Sequence, residues 1–208
     1  MGSNGDIVAV GDLNSSARGT GARKNSGKPQ WHQLPVFALD RLIQTYDADE
    51  FVYCPPSIAG VIKSMGYWQR SVTSAGRGRC YLDGAVRQMM YLLAKEVGMN
   101  PEQHIPLRAL ASTVRVLEFG AIKYKPGNWA KGMPWSVCFS CAMSHLFAAA
   151  GGEVDDNESG LSHLAHAMCN LLFLVSYDTL YPEGDDRIVE WAIDPPAPAD
   201  LFINGRIS

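Results

Sequence analysis

Residues 136–180 read SVCFSCAMSHLFAAAGGEVDDNESGLSHLAHAMCNLLFLVSYDTL, and this stretch decides the fold. Pro134 lies just before its first apolar block and Gly151-Gly152 ends it, which predicts a helix over Ser136–Ala150. Leu164, Met168, Leu171, Leu172 and Val175 recur at helical spacing and predict a second helix over Leu161–Leu180. The two make an antiparallel hairpin. Its turn carries four carboxylates within six residues, Glu153, Asp155, Asp156 and Glu158. Such a cluster repels itself unless solvent or a cation separates the charges. Hard cations such as Mg²⁺ or Mn²⁺ take oxygen ligands of this kind. An isolated acidic turn is more often simply solvated. Histidines shift the balance here. His145 sits near the end of the first helix, so the hairpin brings it towards the acids. His163 and His166 open the second helix and share a stripe with Asn170 at i, i+3 and i+7.

Further helices are expected outside the hairpin. Val36, Leu39, Leu42 and Ile43 predict one over Leu34–Thr45. Val86, Met89, Met90, Leu92 and Leu93 form the apolar face of another over Leu82–Glu96, with Asp83 as its N-cap. A third runs Leu107–Tyr124 and stops at Pro126-Gly127. Between Asp47 and Arg79 the pattern weakens, and Pro55-Pro56 and Gly76–Arg79 predict irregular structure. The tail after Tyr181, rich in Pro and Asp, reads as a surface loop. No repeat and no series of strands is present, so the fold class is mostly α.

The chain has 208 residues, enough for one domain or one domain with an insertion, and 47% are apolar. A net charge of −3 offers no general reason for nucleic-acid binding. Apolar runs fall far short of the about 18 residues a membrane span needs. Met1–Gly27 is polar and lacks the apolar core of a secretory signal. Five cysteines, an odd number, form no evident disulfide framework. The expected location is the reducing cytoplasm.

A second informative stretch is Phe119 to Trp135, which interleaves Lys123, Lys125 and Lys131 with Tyr124, Trp129 and the turn residue Asn128. Lysines meet phosphates and an aromatic face stacks on a base. The plain alternative is a helix end and loop whose tryptophans fill the core. Beside a carboxylate cluster, the pairing describes a nucleotide site. Other chemistries fare worse. There is no adjacent His-Asp pair for a His-Asp phosphohydrolase. Gly27-Lys28 is followed by Pro29 and no strand precedes it, so it is not a P-loop. Cys138 and Cys141 form a C-x-x-C near Cys169, His163 and His166, and zinc accepts such ligands. Both cysteines sit inside an apolar helix, where free cysteine packs as a small hydrophobe.

Taken together, Gly21–Gln30, Ile105–Leu110, Glu118–Tyr124, Asn128–Ser136 and Gly152–His166 resemble the phage dATP/dGTP diphosphohydrolases, related in chemistry to MazG-like pyrophosphohydrolases. The resemblance implies a MazG-like helical core formed by 21–43 plus 105–185. A flexible 1–20, an insertion over 44–104 and a tail over 186–208 complete the chain. It implies metal-dependent hydrolysis of dATP or dGTP to the monophosphate and pyrophosphate, with Mg²⁺ or Mn²⁺ as cofactor. The expected setting is phage nucleotide-pool remodelling in the host cytoplasm, in some phages linked to 2-aminoadenine. The family's acidic-turn pattern falls on Glu153, Asp156, Glu158, His163 and His166. The first three are expected to hold metal, and Glu153, Asp156, His163 and His166 to be catalytic. Arg23, Lys28, Lys123, Tyr124, Asn128, Trp129 and Lys131 are the expected substrate contacts. One departure is Ser144, where the family usually has Arg. MazG-like folds close their cores between subunits, so a homo-oligomer is expected. The alternative is a zinc-stabilised helical interaction protein without catalysis.

Overall fold

The computed structural model describes residues 29–35, 38, 43, 56–71, 77–101 and 106–192. Within them lie five helices: α1 Ile58–Arg70, α2 Arg77–Glu96, α3 Leu110–Tyr124, α4 Trp135–Ala150 and α5 His163–Leu180. Ala38 and Ile43 are helical and Leu34 and Pro35 are not; the rest of the stretch predicted as a helix over Leu34–Thr45 lies outside the described residues. So do Arg23 and Lys28.

α5 is the centre of the bundle. Its Ala165, Ala167, Met168, Leu171, Leu172, Leu174 and Tyr177 are buried, and they lie on every side of the helix. A helix apolar all round needs neighbours all round. α4 supplies one wall as the predicted hairpin, and α2 and α3 supply others. Ser162 starts α5 by accepting hydrogen bonds from the Leu164 and Ala165 amides. Asp186 does the same for α4, accepting from the Ser136 amide at 2.8 Å and from its hydroxyl at 2.5 Å.

Two expectations need correction. Residues 58–70, predicted irregular, form α1. Its Val61, Met65 and Trp68 make a buried stripe at i, i+4 and i+7 that packs on α2, and this burial outweighs the low helix propensity of Gly60 and Gly66. Also, α2 begins at Arg77, five residues before the predicted start, so Asp83 lies inside the helix and is no N-cap. Gly78 allows the early start. A Cβ there would stand 2.5 Å from the Ser71 hydroxyl.

α1 and α2 belong to the stretch expected as an insertion, yet their Val61, Met65, Trp68, Met89 and Leu93 join the same apolar core as α5. The tail after Tyr181 also does more than cover the surface. The Arg187 guanidinium lies over Trp68 at 4.7 Å and over Trp135 at 5.3 Å. Asp185 holds it through two bonds of 2.8 and 2.7 Å, and it donates to the Trp68 carbonyl at 2.9 Å. One side chain thereby ties α1 to α4. No helix among the described residues is long and apolar enough to cross a membrane.

Candidate functional site

The acidic turn is folded by its own side chains. Asp156 Oδ1 accepts from the Ser159 amide at 2.9 Å, the Ser159 hydroxyl at 2.9 Å and the Glu158 amide at 3.2 Å. A backbone bridge between Asp155 and Ser162 closes the loop. Gly152 and Gly160 take the left-handed conformations that the tight path requires, with φ of 95° and 66°. Burial alone would favour the neutral Asp156 acid. The two Ser159 bonds and the nearby imidazoles outweigh it and hold the carboxyl below its ordinary value.

Three imidazoles meet beside this carboxylate. His145 Nδ1 and His163 Nδ1 are 2.9 Å apart, and the His145 ring stacks on His166 with centroids at 4.5 Å. Burial, then the two neighbouring imidazoles, lower His145 from 6.5 to about 4, so it is neutral at pH 7. Burial likewise lowers His166. The network also fixes a tautomer. Ser159 Oγ donates to Asp156 and accepts the Leu161 amide, which leaves one acceptor position. His166 Nε2, at 2.8 Å, fills it and must carry the proton. His163 is 6% exposed and its Nε2 has no hydrogen-bond partner. Glu153 Oε2 stands 3.7 Å from that nitrogen.

A cavity of about 400 Å³ opens between α3, the 125–134 loop and the hairpin. Asp156, Glu158, His145 and His166 line one side; Lys123, Lys125, Tyr124, Asn128 and Trp129 line the other. Lys123 Nζ reaches across to Glu158 at 2.7 Å, and that bond raises the lysine's affinity for its proton. The Trp129 ring rests on Phe173 at 5.1 Å with 12° between planes. The buried Tyr177 hydroxyl fixes the loop from below, donating to the Trp129 carbonyl at 2.6 Å. The Tyr181 ring packs against Gly132, whose φ is 83°.

The structure therefore brings together Asp156, Glu158, His163, His166, Lys123, Tyr124, Asn128 and Trp129. Neither His163, which meets the site through His145, nor Glu153 beside it lines the cavity, and Lys131 is exposed and does not line it. Ser159 and Lys125 had no assigned role in the sequence reading, although the Asp-x-x-Ser spacing of Asp156 and Ser159 is a readable turn signal. Among the described residues, one metal-competent group occurs: His145, Asp156 and His163, with a ligand atom from each within 4.8 Å of the others. It contains no cysteine. Cys138 is buried and its thiol is pushed up to about 12 by burial, which opposes the thiolate that zinc would need.

The helical hairpin and the 125–134 loop thus put acids, imidazoles, lysines and aromatics around one cavity. Residues 92–187 match the family model described as dATP/dGTP diphosphohydrolase, N-terminal. The matched segment contains the whole hairpin and the lysine–aromatic loop. The chain is also 30% identical over 99 residues to a dATP/dGTP diphosphohydrolase of Salmonella phage PMBT28. That similarity covers 48% of this chain and 33% of the relative, so the chain spans about a third of the relative's length. No solved structure matches it.

Proposed function

We propose that this chain hydrolyses purine deoxynucleoside triphosphates, dATP or dGTP, to the monophosphate and pyrophosphate, within phage nucleotide-pool remodelling. The observation that carries the reading is one cavity lined by carboxylates and imidazoles of the hairpin and by lysines and aromatics of α3 and the loop after it. The family match over 92–187 and the name of the phage relative support the same chemistry.

The residues divide the work by charge. Lys123 and Lys125 attract the triphosphate, and Lys123 can exchange its Glu158 partner for a phosphate oxygen without leaving the cavity wall. Trp129 and Asn128 receive the base, the ring by stacking and the amide by hydrogen bonding. Tyr177 and Phe173 hold Trp129 in place, so the base meets a preformed wall. Asp156, Glu158 and Glu153 carry the negative charge that would hold a divalent cation. The group of His145, Asp156 and His163, with a ligand atom from each within 4.8 Å of the others, supports such a cation. When bound, such a cation, Mg²⁺ or Mn²⁺, would supply phosphoryl polarisation, activation of a water and neutralisation of the leaving pyrophosphate. His166 cannot accept a proton at Nε2, because Ser159 holds that nitrogen in its protonated form. Its part is to position Ser159 and, through it, Asp156.

Exposed Ile122, Phe147 and Val154 fit a chain that works as a homo-oligomer, which light scattering tests. A panel of dNTPs and NTPs with Mg²⁺ or Mn²⁺ tests the activity. Pyrophosphate release from dATP or dGTP supports it. Phosphate as the first product, or no turnover with any purine nucleotide, refutes it.

A further inference from the structure

Three observations at the hairpin mouth remain unexplained by oxygen ligation alone. His145 Nδ1 and His163 Nδ1 face each other at 2.9 Å. In the metal-free chain this is an N–H···N hydrogen bond; two nitrogens bound at about 2.1 Å to one cation lie about 3 Å apart at a right angle and about 3.4 Å apart at a tetrahedral one, so a cation can take the place of the shared proton with little movement of the rings. Asp156 Oδ1 takes three hydrogen bonds, which leaves Oδ2 as the oxygen to turn towards that ion. His163 is 6% exposed, and its far nitrogen, Nε2, has no hydrogen-bond partner but points at Glu153, 3.7 Å away. A ligating histidine almost always presents its other ring N–H to a carboxylate in this manner.

We propose that His145 Nδ1, His163 Nδ1 and Asp156 form a mixed nitrogen–oxygen cation site that selects borderline transition metals, Mn²⁺, Co²⁺ or Zn²⁺, over Mg²⁺. Glu153 is then the outer partner that orients His163, rather than a ligand. Imidazole favours these ions, whereas Mg²⁺ holds to oxygen and water and gives up its hydration reluctantly. The nearby His166 lies outside the group whose ligand atoms all come within 4.8 Å of one another. The purpose of the site rests on the hydrolase reading above; its geometry does not.

The test uses the full chain, stripped with chelator, and the metals alone. Titration with Co²⁺ should develop visible d–d absorption that saturates at one ion per chain, and a hundredfold excess of Mg²⁺ should leave it in place. His145→Gln, at a partly exposed position, should weaken Co²⁺ binding more than tenfold, and Glu153→Gln should weaken it about tenfold. Histidine ¹⁵N spectra of the unmutated chain give a second readout that needs no variant. Added Zn²⁺ should shift Nδ1 of two imidazoles and leave one Nε2–H unchanged. Displacement of Co²⁺ by equimolar Mg²⁺, or imidazole spectra unmoved by Zn²⁺, overturns the proposal. Metal binding of the expected kind without nucleotide turnover would sink the hydrolase reading alone. Turnover with unmoved imidazoles would sink the metal site alone.

Discussion

Ser159→Ala probes the network that shapes the acidic turn. The change removes one hydroxyl and three hydrogen bonds: a donation to Asp156 Oδ1, and acceptance from the Leu161 amide and the His166 ring. The first is charge-assisted and contributes about 1.5 kcal/mol or more; the other two contribute about 1 kcal/mol each. Water replaces part of this, because Ser159 is only half-buried. It replaces less at His166, whose side chain is 12% exposed. The net loss should be about 2–3 kcal/mol in urea unfolding at pH 7. The sign of its pH dependence follows from Asp156. The folded carboxyl titrates below its ordinary value of 3.8, so its stabilisation is full above that value and is lost as pH falls through the folded pKa. The gap between variant and unmutated chain should therefore be widest near neutrality and narrow in acid. A loss under about 0.5 kcal/mol at pH 7, or an equal loss at pH 7 and in strong acid, would refute the network.

Three further outcomes follow from the same geometry. In the metal-free protein, His145 titrates near 4 against an ordinary 6.5, so the unfolded chain takes up its proton first. Thermal stability should hold above pH 6.5 and fall by roughly 2 kcal/mol towards pH 4, after allowing for partial exposure; a flat profile from pH 7 to 4.5 would contradict it. Gly132→Ala puts a Cβ 2.4 Å from the Tyr181 ring at a φ of 83° and should cost about 2–3 kcal/mol, read by thermal melting; a neutral effect would show that the loop is not pinned there. Tyr177→Phe deletes the bond to the Trp129 carbonyl, should cost about 1 kcal/mol, and should raise KM for the nucleotide while kcat holds. A fall in kcat at constant KM would place Tyr177 elsewhere in the mechanism.

The hairpin was legible because its signals agree: Pro134 before, Gly151-Gly152 after, and apolar residues at helical spacing. α1 was not, since Gly60, Gly66 and the aromatics Tyr67 and Trp68 lower the helix propensity of the stretch, although Ser57 caps it by accepting the Gly60 amide. Its buried stripe, Val61, Met65 and Trp68, is decided by tertiary packing on α2. The chain reads the acids of the turn plainly, but not which atom each commits. That depends on the bonds of Ser159, a residue with no chemical signature of its own. His145 lies 18 residues from His163, and only the closed hairpin sets their nitrogens at 2.9 Å. Lys131 shows the reverse case: it is a lysine in the same stretch as Lys123 and Lys125, but it is exposed and does not line the cavity, although Trp129 and Met133 on either side of it do.

The central claim is water attack at the α-phosphorus of a purine deoxynucleotide held in this cavity. Hydrolysis of dGTP in ¹⁸O-water, with both products read by mass spectrometry, tests it most directly. The account predicts one labelled oxygen in dGMP, unlabelled pyrophosphate, and a rate at least 10²-fold lower in Asp156→Asn, because that carboxylate anchors the chemistry. Label in pyrophosphate or in free phosphate, or an Asp156→Asn rate equal to that of the unmutated chain, would contradict it.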